Sequence, residues 1–212
     1  MKSLKLRQQL IDTALAMNAS GINQGTSGNL SVRVEDGFLI TPSALPYDKY
    51  QCEDIVFMKL TGECEGIRKP SSEWRFHKDI YLNRKDAGAI LHAHSPSCTA
   101  LACLNKKIPA FHYMVAVAGG NDIRCAPYAT FGTQELSDYT LTALEKRKAC
   151  LLANHGMICL DQDLPKALSL AIEVENLAQV YSQTLQIGTP ILLDEYEMKR
   201  VLDKFKDYWK QA

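Results

Sequence analysis

The stretch Ile90-Leu91-His92-Ala93-His94-Ser95-Pro96 places two histidines two residues apart inside an apolar run. In a β-strand, residues i and i+2 share a face. A strand here stands His92 beside His94 on the face of Ile90, with Leu91 and Ala93 on the other. Two imidazoles so placed near a buried strand end either hydrogen-bond to each other in the core or hold one divalent metal. A second short apolar run, Leu151-Leu152-Ala153-Asn154-His155-Gly156, also ends in a histidine, followed by a glycine that lets the chain turn. Three histidines at two strand ends leave one coordination position open, which is the arrangement of a catalytic rather than a structural metal.

The chain around these stretches has 212 residues, with 24 Lys+Arg against 24 Asp+Glu. No basic block or stripe stands out, which argues against nucleic-acid binding. An anionic substrate is still accommodated if local hydrogen-bond donors hold its charge. The cysteines number seven, an odd count with no C-x-x-C, and most lie in apolar segments. That usage fits reduced thiols in a cytoplasmic protein. Met1 to Leu10 is polar, without the apolar core of a signal peptide, and no run approaches the roughly 18 apolar residues of a membrane span. With no repeat, low-complexity segment or linker, the expectation is one soluble domain over 1–212.

Leu4 to Ser20 has apolar residues at 6, 10, 14 and 17, the spacing of an amphipathic helix, with Gly21 at its end. Gln24-Gly25-Thr26-Ser27-Gly28-Asn29-Leu30-Ser31 is a loop whose backbone N–H groups could face an anion, without P-loop or dinucleotide spacing. Leu30–Val34 and Phe38–Thr41 read as a hairpin through Glu35-Asp36-Gly37, and Ile55–Leu60 as a third strand. Ser71 is placed to cap a helix running to about Asn83. Gly88–His94 is the histidine strand, followed by a helix near Ser97–Leu104. Ile108–Ala118 and Ile123–Ala126 read as extended, Thr133–Lys146 as helix, and Ala149–Ala153 and Met157–Leu160 as strands flanking His155. Asp163-Leu164-Pro165 opens a long helix to about Gln186, and Asp194 a last one ending near Trp209. The order, helices mixed with mostly antiparallel strands, predicts either an α+β fold or an α/β fold layered as α/β/α, with a mostly antiparallel central sheet flanked by helices.

Glu73 falls in the predicted first helical turn, where the helix dipole favours a carboxylate. An exposed surface Glu is the ordinary reading of such a position. Ser71 and Ser72 precede it, however, and free N–H groups at a helix start bind phosphate readily. A phosphate anchor, a carboxylate and a three-histidine metal together suggest a reaction at carbon beside a phosphorylated carbonyl.

Several longer motifs then occur in order. They are Asn23-Gln24-Gly25-Thr26-Ser27-Gly28-Asn29, Thr41-Pro42-Ser43-Ala44-Leu45-Pro46-Tyr47, Pro70-Ser71-Ser72-Glu73-Trp74-Arg75-Phe76-His77, His92-Ala93-His94, His112-Tyr113-Met114, Cys125-Ala126-Pro127-Tyr128-Ala129-Thr130-Phe131-Gly132-Thr133 and Asn154-His155-Gly156. Over nearly the whole chain the sequence resembles the class II aldolase/adducin family, within it the group built on L-fuculose-1-phosphate aldolase. The resemblance implies a Zn2+ ion on His92, His94 and His155, with Glu73 in the fourth position at rest and then acting as base. It implies phosphate held by Asn29, Ser43, Ala44, Ser71 and Ser72. It also implies Tyr113 of a neighbouring subunit as the acid at the aldehyde oxygen, and an aldehyde wall of Phe131, Phe205 and Tyr208. That wall is aromatic and carries no Lys or Arg. The family's usual assembly is a cyclic homotetramer with sites at subunit interfaces, acting on a small phosphorylated sugar.

The activity implied is reversible cleavage of a ketose 1-phosphate, L-fuculose 1-phosphate or a 5-deoxypentulose 1-phosphate, to dihydroxyacetone phosphate and lactaldehyde or acetaldehyde. Alternatives on the same fold are a pentulose-5-phosphate 4-epimerase, a methylthioribulose-phosphate dehydratase and a non-catalytic adducin-like binding module. The epimerases carry Asp where this chain has Glu73, and a binding module has no need of an open metal site. Two departures stand out. The family loop often has Thr-Gly where this chain has Ser43-Ala44, and a methyl at 44 restricts positive φ. The chain also ends at Trp209-Lys210-Gln211-Ala212, short of the longer family tail that borders the aldehyde. His77, one helical turn after Glu73, and His112 read as supporting histidines rather than ligands.

Overall fold

The histidine strand lies near the centre of the sheet, and its neighbours explain why all its residues are buried. In the computed structural model, residues 3–208 are described, with side chains through residue 206. Among the described residues the strands are β1 (Asn29–Val34), β2 (Gly37–Ile40), β3 (Val56–Lys59), β4 (Cys64–Glu65), β5 (Ala89–Ala93), β6 (Arg124–Ala126), β7 (Ala149–Leu152) and β8 (Gly156–Asp161). They form one sheet in the order β4-β3-β2-β1-β5-β8-β7-β6. Every neighbouring pair is antiparallel except β6 with β7.

The helices are α1 (Leu4–Ala19), α2 (Trp74–Asn83), α3 (Pro96–Cys103), α4 (Gln134–Ala143), α5 (Leu164–Ile187) and α6 (Glu195–Tyr208). Side chains alternate along each strand, so the sheet feeds two cores. One face packs Leu30, Leu91, Leu151 and Cys159 against Leu10 and Met17 of α1, Leu101 of α3 and Leu177 of α5. The other packs Phe38, Ile40, Ile90 and Ile158 against Phe76 and Ile80 of α2 and Leu136 of α4. Both faces being covered, β5 reads as a continuous apolar run instead of an alternating one. His92 shares the α2 face with Ile90, which aims it at the start of α2.

Local signals set the element ends as the sequence suggests. Gly21, at φ 76, follows α1. The Asp163 side chain accepts from the Lys166 N–H and caps α5, with Pro165 in its first turn. The Asp194 side chain accepts from the Glu197 N–H ahead of α6. No helix of the described residues is long and apolar enough to cross a membrane.

Two segments differ from expectation. The helix after Pro70 begins at Trp74, with Glu73 rather than Ser71 in the cap position. The reason is tertiary: the Ser71 N–H donates to Thr41 O at 3.0 Å, and Pro42 bridges Pro70, which holds the chain extended through Ser71. The segment 108–118, expected to be extended, is extended only near Ile108, which bridges Ile123. From Tyr113 to Ala118 it winds into a 3₁₀ turn. His112 Nδ1 accepts from the Met114 N–H to start that turn, and Gly119, at φ 90, ends it.

Candidate metal centre

The hairpin between β7 and β8 and the end of β5 meet at one point. Leu152 pairs with Gly156 across the hairpin, leaving Ala153, Asn154 and His155 as the turn. Asn154 takes the left-handed conformation, φ 55, that asparagine tolerates better than most residues. β8 then runs back along β5 with Met157 opposite Ala93. A Cβ on Gly156 would collide with the Ala93 carbonyl, so glycine permits the approach that brings His155 to the histidine strand.

The side chains converge. His92 Nε2 lies 3.0 Å from His94 Nε2 and 3.2 Å from Glu73 Oε2. His155 Nε2 lies 3.3 Å from Glu73 Oε1. The three imidazoles pack edge-on with centroids 4.8 to 4.9 Å apart. One potential ligand atom from each of Glu73, His92, His94 and His155 falls within 4.8 Å of the others.

The protonation states suit ligation. Burial, reinforced by His94, pushes His92 down to about 3. Burial, then His92, takes His155 to about 3 as well, and burial lowers His94. All three are neutral near pH 7, the form that binds metal. His92 Nδ1 donates to Met157 O at 2.9 Å, so its Nε2 carries a bare lone pair toward His94. Burial raises the Glu73 carboxyl, while His155, Asn29 and His94 pull it back down.

A cation fits these donors. Glu73 is 5% exposed, and its Oε1 has no hydrogen-bond partner. An orphaned buried carboxylate oxygen costs free energy unless something positive meets it. Three imidazole nitrogens and one carboxylate oxygen are a donor set for a divalent transition metal.

The residues expected to hold phosphate divide into two groups. The bridge between Pro42 and Pro70, with the Ser43 N–H donating to Lys69 O at 3.0 Å, lays the Ser43-Ala44 loop beside Ser71-Ser72. Ala44 adopts φ 58, so its methyl group does not prevent the left-handed turn. Asn29 is buried and pairs in register with His92. Its Nδ2 donates to Glu73 Oε2 at 3.0 Å, so here it serves the carboxylate.

Residues 8–182 match the family described as Class II Aldolase and Adducin N-terminal domain. The chain belongs to the class II aldolase and adducin family. It is 57% identical over 209 residues to the 5-methylthioribulose-1-phosphate/5-deoxyribulose-1-phosphate aldolase of Rhodospirillum rubrum, covering 99% of this chain and 95% of that one. It is 54% identical to the L-fuculose phosphate aldolase of Escherichia coli K12, covering 98% and 97%. A solved structure of an L-fuculose 1-phosphate aldolase superposes with a TM-score of 0.94 at 42% identity, covering 97% and 98%.

Other residues that the aldolase resemblance singled out stand elsewhere on the chain. Tyr113 opens the 3₁₀ turn, is 49% exposed, and has His112 and Phe205 as ring neighbours. Phe131 is 64% exposed in the loop whose Gly132 carbonyl accepts from Arg75. Phe205 packs from α6 toward the 3₁₀ turn. The side chain of Tyr208 and residues 209–212 lie outside the described residues. The groove holding Tyr113 and Phe205 also contains Glu197, Arg200 and Lys204. Basic side chains of α6 thus stand beside two of the residues that the resemblance singles out for the aldehyde.

Proposed function

We propose that the protein is a zinc-dependent aldolase that reversibly cleaves a ketose 1-phosphate, L-fuculose 1-phosphate or a 5-deoxypentulose 1-phosphate, into dihydroxyacetone phosphate and a short aldehyde. The observation that carries this reading is the cluster of buried His92 and Glu73 with half-buried His94 and His155, the carboxylate having one oxygen bonded to Asn29 and the other with no donor. The four residues would hold the zinc ion, which supplies Lewis-acid polarisation of the ketose oxygens.

The remaining chemistry falls to the chain. Ser43, Ala44, Ser71 and Ser72 hold the phosphate, joined by the second N–H of the Asn29 amide whose first N–H serves Glu73, and so fix the half of the sugar that stays bound. The bond broken is C3–C4. Tyr113, contributed by a neighbouring subunit, exchanges the proton of the oxygen that becomes the aldehyde. Glu73 delivers a proton to C3 and removes it in the synthetic direction, a role suited to a carboxyl raised by burial. Phe131, Phe205 and Tyr208 wall the aldehyde. The shared Tyr113 requires an oligomer, a homotetramer in this reading, which light scattering measures directly.

The test is a coupled assay for dihydroxyacetone phosphate released from L-fuculose 1-phosphate and from 5-deoxyribulose 1-phosphate, run beside ribulose 5-phosphate. Triose phosphate from either 1-phosphate is the expected result. Epimerisation of ribulose 5-phosphate at C4, with no triose phosphate from any 1-phosphate, overturns the aldolase reading.

A further inference from the structure

Behind Glu73 a line of buried polar groups runs across the sheet into α2. Asn29 Oδ1 lies 2.6 Å from His77 Nε2. His77 Nδ1 lies 2.7 Å from Ser31 Oγ, and Ser31 Oγ lies 2.8 Å from the Tyr81 hydroxyl. Ser31 and His77 are fully buried and Tyr81 nearly so. Tyr81 in turn lies under the Arg33 guanidinium, 4.6 Å from the ring centroid.

The proton positions along this line follow from one end. A ligating carboxylate offers only lone pairs, so the group of Asn29 facing Glu73 is its NH2. Its carbonyl therefore faces His77, and His77 Nε2 must carry a proton. Burial keeps His77 neutral, its pKa lowered well below the ordinary value with a further push from His92. Its Nδ1 is then a lone pair, filled by the Ser31 hydroxyl proton, and the Ser31 oxygen accepts from Tyr81. Every donor has one acceptor, and the direction is the same throughout.

We propose that His77, held in one tautomer by Ser31 and Tyr81, is a positioning residue: it fixes the Asn29 amide so that its NH2, and not its carbonyl, faces Glu73. Asparagine cannot choose between these two orientations by shape, because the amide oxygen and nitrogen are nearly the same size. Flipped, it would set a carbonyl oxygen against Glu73 Oε2 and leave both carboxylate oxygens without a donor. The inference rests on the metal-centre reading, since Glu73 is placed as a ligand.

The test measures metal affinity by chelator competition, with zinc content by elemental analysis, on the full-length wild type and four variants. His77→Phe fills the space but removes the donor. His77→Gln offers an amide N–H where His77 Nε2 stands. Ser31→Ala frees the imidazole to adopt the other tautomer with little change of volume, and guards against a His77→Phe chain that fails to fold. Glu73→Gln removes the carboxylate that the amide serves.

His77→Phe is expected to weaken zinc binding roughly 10-fold or more, the usual size for a lost partner of a ligand. Ser31→Ala should weaken it by a smaller factor, and His77→Gln should restore most of the loss. In a Glu73→Gln background, adding Ser31→Ala or His77→Phe should change affinity no further, which a merely structural role would not produce. Wild-type affinity in both His77→Phe and Ser31→Ala overturns the proposal, as does an undiminished effect in the Glu73→Gln background. A wild type that binds no divalent metal would instead overturn the metal reading itself.

Discussion

Gly28 sits one residue before Asn29, where β1 begins, and its substitution by alanine tests whether the site depends on how closely β1 and β5 approach. A Cβ at this position would stand 2.6 Å from Asn23 Oδ1, 2.7 Å from the His92 carbonyl oxygen and 2.9 Å from Met17 Cε. The Met17 methyl can swing aside. The His92 carbonyl cannot, because it belongs to the central strand. A carbon meets a carbonyl oxygen comfortably at about 3.3 Å, so the strands must separate by roughly 0.6 Å. Asn29 pairs in register with His92, and its bond to Glu73 is already 3.0 Å. Stretched by that much, the bond passes the limit of a useful hydrogen bond, and His92 moves by more than the ~0.2 Å that metal–ligand distances tolerate.

Gly28→Ala is therefore expected to lose about 1–3 kcal/mol of stability from overpacking and to bind zinc roughly 10-fold more weakly or worse. Gly188→Ala is the control. Gly188 has an extended backbone, φ 174, and an added methyl group there would meet no atom within 4 Å, so it should change stability by less than about 0.5 kcal/mol and leave zinc affinity alone. Urea denaturation and chelator competition read the two quantities. A folded Gly28→Ala protein with wild-type zinc affinity would refute the reasoning, because the methyl group has nowhere to go without moving a residue of the site.

Glu73→Gln should retain zinc on the three histidines yet lose exchange of the C3 proton of dihydroxyacetone phosphate with deuterium, while Tyr113→Phe keeps that exchange and cleaves slowly; NMR showing equal loss in both would contradict the division of roles. Ala44→Gly should leave stability unchanged or raise it by up to about 1.6 kcal/mol in urea melts. The left-handed turn at φ 58 costs an L-residue about 1–2 kcal/mol, and glycine's greater freedom when unfolded returns roughly 0.4–1 of that. Asp122 is pushed up by burial but held below its ordinary value by hydrogen bonds from Arg147, at 2.7 Å, and Lys107. Its folded pKa being lower than its unfolded one, its contribution is present at neutral pH and lost as pH falls through the folded value. Asp122→Asn should therefore cost about 1.5–3 kcal/mol at pH 7 and progressively less below about pH 4, as thermal melts across pH would show.

The convergence of the three histidines is legible because its signals are local. His92 and His94 are set by the two-residue period of a strand, and His155 by a glycine that permits a tight turn. Glu73 is legible only through the serines before it, and it stands at the cap rather than in the first turn of its helix. The bond from Ser71 to Thr41 that delays the helix joins residues 30 apart in the chain, and no local rule reveals it. The 3₁₀ turn at 113–118 is not legible, because its apolar residues read equally well as strand. Ser31 and Tyr81 left a faint trace. Asn29, Ser31 and Arg33 are three polar residues on one face of a strand whose other residues are apolar. A polar stripe on a buried strand requires partners, and the partners lie on α2.

The metal cluster and the proposed aldehyde wall stand on parts of the fold with different tolerance for change. The metal cluster hangs on β5, the β7–β8 hairpin and the start of α2, where His92 is fully buried and Glu73 5% exposed, while of the phosphate residues Asn29 and Ser71 are buried and Ser43, Ala44 and Ser72 are exposed. The residues for the aldehyde lie on a 3₁₀ turn, a loop and the last helix, where Tyr113 is 49% and Phe131 64% exposed. Substitution at such exposed positions usually alters stability by less than about 0.5 kcal/mol. A family on this scaffold is thus free to vary its aldehyde end while the metal cluster stays put. The relatives fit that asymmetry: proteins 57% and 54% identical to this chain carry the names of different sugars. The discriminating energies are also small. A buried terminal methyl contributes about 0.8 kcal/mol, a factor of a few in rate. An aldolase of this construction is expected to rank a longer methyl-ended tail against a shorter one by less than about tenfold.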